Sequence, residues 1–157
     1  MAYLRRSEPA NAERACLFCL KQRQADPAEH ILYRGEHCFI LLNRYPYNNG
    51  HLMVVPYAHV PSLEYLDDEV SLELMRLARA ALQILRAEYA PQGFNIGVNE
   101  GAVAGAGVAE HVHLHIVPRW GGDSNYMSVI GETRVIPEWL DETYARLLPR
   151  FEALLKP

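Results

Sequence analysis

The sequence predicts an α+β fold, in which a mainly antiparallel sheet carries one long helix packed on it and a C-terminal helix. Three observations predict this fold. Residues 30–44 have the pattern of a β-hairpin, and residues 67–90 have the periodicity of one long amphipathic helix. Residues 111–118 alternate between histidine and apolar side chains, which is typical of a strand with one face in the core.

The first strands form the hairpin. Residues 30–34 and 37–44 flank the turn residues Gly35-Glu36. Within the second strand, residues 38–42 are continuously apolar, which suits a strand buried on both faces. After a loop rich in Pro, Asn and Gly, residues 51–56 form another strand.

One long helix is expected over residues 67–90. Its first turn is acidic, which suits the positive end of the helix dipole, and Pro91-Gln92-Gly93 ends it. The apolar residues that follow helical spacing, and should face the sheet, are Leu74, Leu77, Ala81 and Leu85.

The rest of the chain completes the sheet and adds a second helix. This C-terminal helix should begin at about Glu138, and Pro149 should kink or break it. Residues 100–107 form a loop of small residues. Further strands are predicted at residues 94–98, 111–118, 126–130 and 133–136.

Length and composition predict a single domain over residues 1–157, with residues 1–15 as a loose N-terminal arm. The net charge of −4 provides no broad positive field, so neither a nucleic acid nor a membrane is expected as a partner. The chain has no apolar targeting segment and no bilayer-length apolar run. Its three cysteines are too few for a disulfide framework, so we expect a cytoplasmic location.

The most informative segment places three histidines on one strand face, because His111, His113 and His115 alternate with apolar residues. Two kinds of site fit this pattern. One is a metal site, since neutral imidazole is a good zinc ligand, and the other is covalent catalysis by imidazole. The loop at 100–107 leads into this strand, and its backbone N–H groups could bind an anion such as phosphate.

The segment His111-Val-His-Leu-His-Ile-Val117 resembles the signature of the histidine triad (HIT) superfamily, in which three histidines alternate with apolar residues. The resemblance continues upstream, in Leu42-Asn-Arg-Tyr-Pro46 and Gly50-His-Leu-Met-Val-Val-Pro56, and in Val98-Asn-Glu-Gly101 before the loop. The downstream segment 117–127 resembles dinucleoside polyphosphate phosphorylases of this superfamily more than its short phosphoramidases.

The resemblance implies a role for each matching residue. His113 would form a covalent nucleotidyl-histidine intermediate, and His115 would contact phosphate. Asn43 would bind the ribose, His51 would lie behind the triad, and Asn99 would lie near the scissile phosphate. The residues that would contact the rest of the nucleotide are Gly105, Gly107, Arg119, Trp120 and Asn125. Gly107 departs from the family pattern, because many relatives have a Ser or Thr hydroxyl there.

Cys16-Leu-Phe-Cys19 is half of a typical zinc site and needs two more ligands. Cys38 lies in an apolar strand and is expected to be a core thiol, so histidines are better candidates. Resemblance to bacterial triad proteins implies that His59 and His111 complete the set. The expected cofactor is one structural zinc, and no catalytic metal is required.

The resemblance therefore implies an enzyme that acts on a dinucleoside polyphosphate, such as diadenosine tetraphosphate, with water or inorganic phosphate as the acceptor. It also implies a homodimer. Three alternatives remain at this stage. They are a nucleoside phosphoramidase, a non-catalytic nucleotide-binding protein, and a metalloenzyme that uses all three histidines as ligands. The absence of Asp and Glu from residues 111–118 counts against the last.

Overall fold

The computed structural model describes residues 16–124 and 138–155. Five strands form one sheet in the order β1-β2-β3-β5-β4, and every neighbouring pair is antiparallel. This architecture confirms the predicted α+β fold. The strands are β1 (Ile31–Arg34), β2 (Cys38–Leu42), β3 (Leu52–Pro56), β4 (Gly93–Val98) and β5 (Leu114–Arg119). The helices are α1 (Leu17–Lys21), α2 (Asp26–Glu29), α3 (Asp68–Tyr89) and α4 (Leu140–Leu155), with 3₁₀ turns at Leu63–Tyr65 and Ala102–Ala104.

The main core lies between one face of the sheet and the helices α3 and α4. All residues of β2 and β3 are buried, as the continuous apolar pattern predicted for residues 38–42. The apolar face of α3 is also confirmed, because its four predicted core residues are buried. Its first turn carries Asp68 and Glu69, as the dipole argument requires.

A smaller apolar cluster covers the opposite face of the sheet. It includes Phe18 and both cysteines of the Cys-x-x-Cys pair, packed on Phe39, Met53 and other side chains of β1 to β3. The sequence analysis assigned no element to residues 16–29, whereas the structure has α1 and α2 there. A helix of five residues has little intrinsic stability, so its packing determines whether it forms.

The histidine strand is shorter than predicted. β5 begins at Leu114, so His111 and His113 precede it instead of lying within it. The physical reason is that the Val112 N–H donates to the Val60 carbonyl at 2.7 Å, outside the sheet ladder. Alternation nevertheless continues in the side chains, because Leu114 and Ile116 enter the main core while the histidines contact the other face.

Pro149 was predicted to kink or break the C-terminal helix. The break is wrong, because α4 continues through Pro149 to Leu155, and the kink stays a prediction. Leu147 and Phe151 on either side of the proline are fully buried in the main core. This packing holds both halves of the helix to the sheet and outweighs the hydrogen bond that a proline cannot donate.

Several predictions lie outside the described residues. They are the N-terminal arm, the strands at 126–130 and 133–136, and the position of Asn125. The single domain over residues 1–157 includes these segments and stays a prediction. None of the helices within residues 16–124 and 138–155 combines the length and hydropathy of a membrane span.

Candidate active site and metal site

His51 lies behind the triad, where a glycine allows the chain to approach α3. Gly50 has a φ of +73°, and a Cβ there would lie 3.0 Å from Leu85 Cδ2. Only glycine accommodates a positive φ and this close approach to Leu85 without strain. The next residue, His51, starts the approach to β3 and is only 1% exposed.

Hydrogen bonds fix the proton positions on His51 and His115. The Tyr47 N–H donates to His51 Nδ1 at 3.0 Å, so this nitrogen carries no proton and the proton lies on Nε2. His51 Nε2 lies 3.0 Å from His115 Nδ1 and donates to it. His115 therefore carries its proton on Nε2, which leaves that N–H as a donor for a phosphate oxygen.

His113 has the opposite arrangement. Its Nδ1 lies 2.9 Å from the His111 carbonyl oxygen, which can only accept, so Nδ1 carries the proton. Its Nε2 then holds the lone pair that a nucleophile needs. The His113 and His115 ring centroids are 4.8 Å apart, so the ring with the lone pair is adjacent to the ring with the N–H donor.

Burial keeps these imidazoles uncharged near neutral pH. It lowers the pKa of His113, although the hydrogen bond to the His111 carbonyl opposes the effect. Burial and the neighbouring His113 lower the pKa of His115 to about 4. Both rings are therefore neutral at pH 7, and His113 can attack without first losing a proton.

Asn43 and Asn99 flank the histidines. Asn43 Nδ2 lies 3.3 Å from His51 Nε2, and Asn43 Oδ1 accepts from the Tyr45 N–H at 2.9 Å. The register of β4 with β5 pairs Gly97 with His115 and Val98 with Leu114, so Asn99 is level with His113. Sequence analysis selected both asparagines, and the fold places Asn43 next to His51 and Asn99 at the register position of His113.

Several backbone N–H groups of the glycine-rich loop donate hydrogen bonds within the loop itself. The Gly105 N–H donates to the Ala102 carbonyl, and the Ala106 N–H donates to the Gly101 carbonyl. Gly105 has a φ of +89°, and an added Cβ would lie 3.7 Å from Asn99 Nδ2. A Cβ on Gly107 would meet no atom within 4 Å among the described residues, so this position is open.

Arg119 is the last residue of β5, roughly 13 Å from His115 by strand rise, and Trp120 follows it. The Arg119 guanidinium forms a bidentate ion pair with Asp123, at 2.6 and 2.8 Å. Asp123 also accepts from the Trp120 N–H and from Asn48 Nδ2. The fold therefore separates both residues from the triad, and their roles stay predictions.

The four predicted metal ligands converge. The donor atoms of Cys16, Cys19, His59 and His111 all lie within 4.8 Å of one another and form a candidate metal site. His111 Nδ1 is 3.3 Å from Cys16 Sγ and 3.6 Å from Cys19 Sγ, and His59 Nδ1 is 3.4 Å from Cys19 Sγ. Ordinary zinc bond lengths in a tetrahedron require sulfur–nitrogen distances of about 3.6 Å.

The surroundings of the site also suit zinc. His111 Nε2 lies 2.8 Å from the Pro56 carbonyl oxygen and donates to it, so the lone pair of His111 is on Nδ1, toward the sulfurs. The set of two cysteines and two histidines leaves no open position in a tetrahedron, which is typical of structural zinc. These residues therefore fit a structural zinc, and Cys38 stays a buried core thiol with a pKa raised to about 12 by burial.

Sequence reasoning missed two residues. The ring of Phe18 packs against His111 and His113, with centroids 5.4 and 4.9 Å away. The Tyr47 ring packs against the His51 ring, with centroids 4.9 Å apart, in addition to its backbone contact. The position of Phe18 inside the Cys-x-x-Cys pair was a usable signal, whereas nothing in the sequence pointed to the Tyr47 N–H.

Known proteins resemble this chain in sequence. An AP-4-A phosphorylase of Mycobacterium tuberculosis is 43% identical over 142 residues, which are 90% of this chain and 73% of the relative. An uncharacterised HIT-like protein of Methanocaldococcus jannaschii is 33% identical over 81% of this chain and 94% of its own.

Solved structures share the fold. A zinc-bound histidine triad family protein of Mycobacterium smegmatis is 26% identical, with a TM-score of 0.72 over 90% of this chain and 96% of its own. The HIT domain family itself matches residues 24–122, which include β1 to β5 and the triad. The chain belongs to the HIT domain family.

Proposed function

We propose that the protein is a dinucleoside polyphosphate phosphorylase that cleaves diadenosine tetraphosphate with inorganic phosphate. The observation that carries the proposal is that an unprotonated Nε2 on His113 and an N–H donor on His115 belong to adjacent rings, whose centroids are 4.8 Å apart. The similarity to the AP-4-A phosphorylase over 90% of the chain supports the choice of substrate and acceptor.

The reaction proceeds in two displacements. His113 Nε2 attacks the α-phosphorus of one adenylate, the bond from phosphorus to the bridging oxygen breaks, and ATP leaves. The product on the protein is an adenylyl group bound to His113 Nε2. Inorganic phosphate then attacks the same phosphorus, the nitrogen–phosphorus bond breaks, and ADP is released with the histidine restored.

The neighbouring residues stabilise the negative charge on the phosphate and position the substrate. The His115 Nε2–H donates to a phosphate oxygen as negative charge develops there, while His51 holds the opposite nitrogen of His115. Asn99, level with His113, donates to the same phosphate, and Asn43 beside His51 binds the ribose. Gly107 provides only a backbone N–H and open space to the leaving group.

The choice of acceptor is tested by following the products of diadenosine tetraphosphate by chromatography, with and without inorganic phosphate. We expect ATP and ADP in equal amounts when phosphate is present, and little turnover without it. Equal amounts of ATP and AMP, formed at the same rate in both conditions, would contradict the proposal and indicate a hydrolase.

We also infer a homodimer. Among the described residues, β4 is an edge strand, and its middle residues are exposed, including Ile96 at 49%. Such an edge has unpaired backbone groups and apolar side chains that a second copy could cover. Sedimentation at micromolar concentration should give twice the chain mass of 17.8 kDa, and a single-chain mass would refute the dimer.

We infer a cytoplasmic location from the cysteines. Cys16, Cys19 and Cys38 are all free thiols, and the first two belong to the candidate zinc site, which requires them reduced. This chemistry suits the cytoplasm.

A further inference from the structure

The metal-binding segment also contacts the catalytic segment directly. Cys16 precedes α1 as its N-cap residue, and it is buried together with Phe18 and Cys19 of the helix, whereas Leu17 and Leu20 are 49% and 43% exposed. The buried side of this short segment therefore presents two metal ligands and one aromatic ring to the triad. The ring of Phe18 lies 4.9 Å from the His113 ring, at an interplanar angle of 49°.

A second contact reaches the same imidazole through the backbone. His111 is a candidate metal ligand through Nδ1, and its own carbonyl accepts the His113 Nδ1–H at 2.9 Å. Two separate parts of the metal site therefore contact the His113 ring: the carbonyl of His111 and the side chain of Phe18 in α1. One fixes which nitrogen carries the proton, and the other limits the rotation of the ring.

We propose that α1 and His111 position the nucleophile, so that the metal ligands hold Phe18 against the His113 ring and the His111 carbonyl on its Nδ1. Phe18 is a positioning residue in this scheme, since it acts through His113. Five residues do not hold a helix by themselves, so α1 keeps its place through its packing and the two cysteine ligands. The inference rests on the proposed role of His113.

The test variant is Phe18→Leu, and the matched control is Phe39→Leu. Phe39 belongs to the same apolar cluster and is fully buried, but among the described ring contacts it stacks on Tyr57 and on none of the histidines. Both variants remove a similar volume from one cluster, so the loss of stability should be similar. Only Phe18→Leu removes the aromatic ring that packs against His113.

The direct readout is the ¹⁵N imidazole spectrum of His113, assigned by comparison with His113→Ala. We expect one tautomer, Nδ1–H, in the zinc-loaded parent and in Phe39→Leu, and a mixture in Phe18→Leu. Zinc removal by a chelator should also give a mixture. In steady-state kinetics, Phe18→Leu should lower kcat by about tenfold with KM within about twofold, since a misplaced reacting group lowers the rate of the chemical step.

Several outcomes would overturn the inference. They are an unchanged His113 spectrum in Phe18→Leu or in the zinc-free protein, equal kinetic effects of the two variants, and a higher KM at unchanged kcat. Should Phe18→Leu fail to fold, Phe18→Met provides the same comparison with a closer volume. If His113→Ala keeps full turnover, the proposed function fails. If His113→Ala is inactive but the Phe18 variants behave like the control, only this inference fails.

Discussion

Replacing His113 by alanine is expected to abolish the turnover of diadenosine tetraphosphate, with a loss on the order of 10⁴-fold or more in kcat. The reason is that the adenylyl group needs a nitrogen lone pair. His111 Nδ1 faces the cysteine sulfurs and His115 Nδ1 accepts from His51, whereas the unprotonated Nε2 of His113 is engaged by neither partner. Steady-state rates with inorganic phosphate measure the loss.

A trapping experiment tests the intermediate itself. The parent protein, denatured in alkali during turnover, should carry an adenylyl group on the peptide that contains His113, and His113→Ala should carry none. His37→Ala is the control, because His37 lies outside the triad and its ring is 4.0 Å from the exposed Glu69. Full activity of His113→Ala, or adenylation at another residue, would contradict the proposed mechanism.

Replacing Cys16 and Cys19 together by serine is expected to remove the bound metal and to lower Tm by on the order of 10 °C. Zinc would join the segment that contains Cys16 and Cys19 to His59 and His111, which are 40 and 95 residues away from their cysteine partners. Metal analysis of the purified protein should give one zinc per chain in the parent and none in the variant.

Cys38→Ala is the matched control for this prediction. Cys38 is also a buried free thiol, but it lies in β2 within the main core, outside the candidate metal site. It should keep one zinc per chain and lose only the stability that a small core truncation costs, about 1 kcal/mol. An unchanged zinc content in the double serine variant would refute the ligand set.

The regular elements could be predicted from local pattern. The apolar run in β2 and the spacing of Leu74 and Leu77 in α3 depend only on period and burial, so their positions followed from the sequence. Pro149 shows the limit of local rules, because packing of Leu147 and Phe151 keeps the helix continuous. The start of β5 could not be predicted from local pattern either, because it depends on the hydrogen bond from Val112 to Val60, which is 52 residues away along the chain.

The sequence by itself determined which residues are candidates for the site. The alternation of three histidines, the Cys-x-x-Cys pair and the family resemblance selected the candidate ligands and the candidate nucleophile. Residue type and spacing suffice for this, since they record which side chains share a face.

Only the tertiary structure decided what each imidazole can do. His111 carries its proton on Nε2, toward the Pro56 carbonyl, and His113 carries its proton on Nδ1, toward the His111 carbonyl. His115 carries its proton on Nε2 because His51 donates to its other nitrogen. Three identical side chains thus differ in which nitrogen carries the proton, as the proposed roles of ligand, nucleophile and donor require. The physical reason is that the tautomer of an imidazole depends on the partners that surround it, and the fold supplies most of these partners from distant parts of the chain.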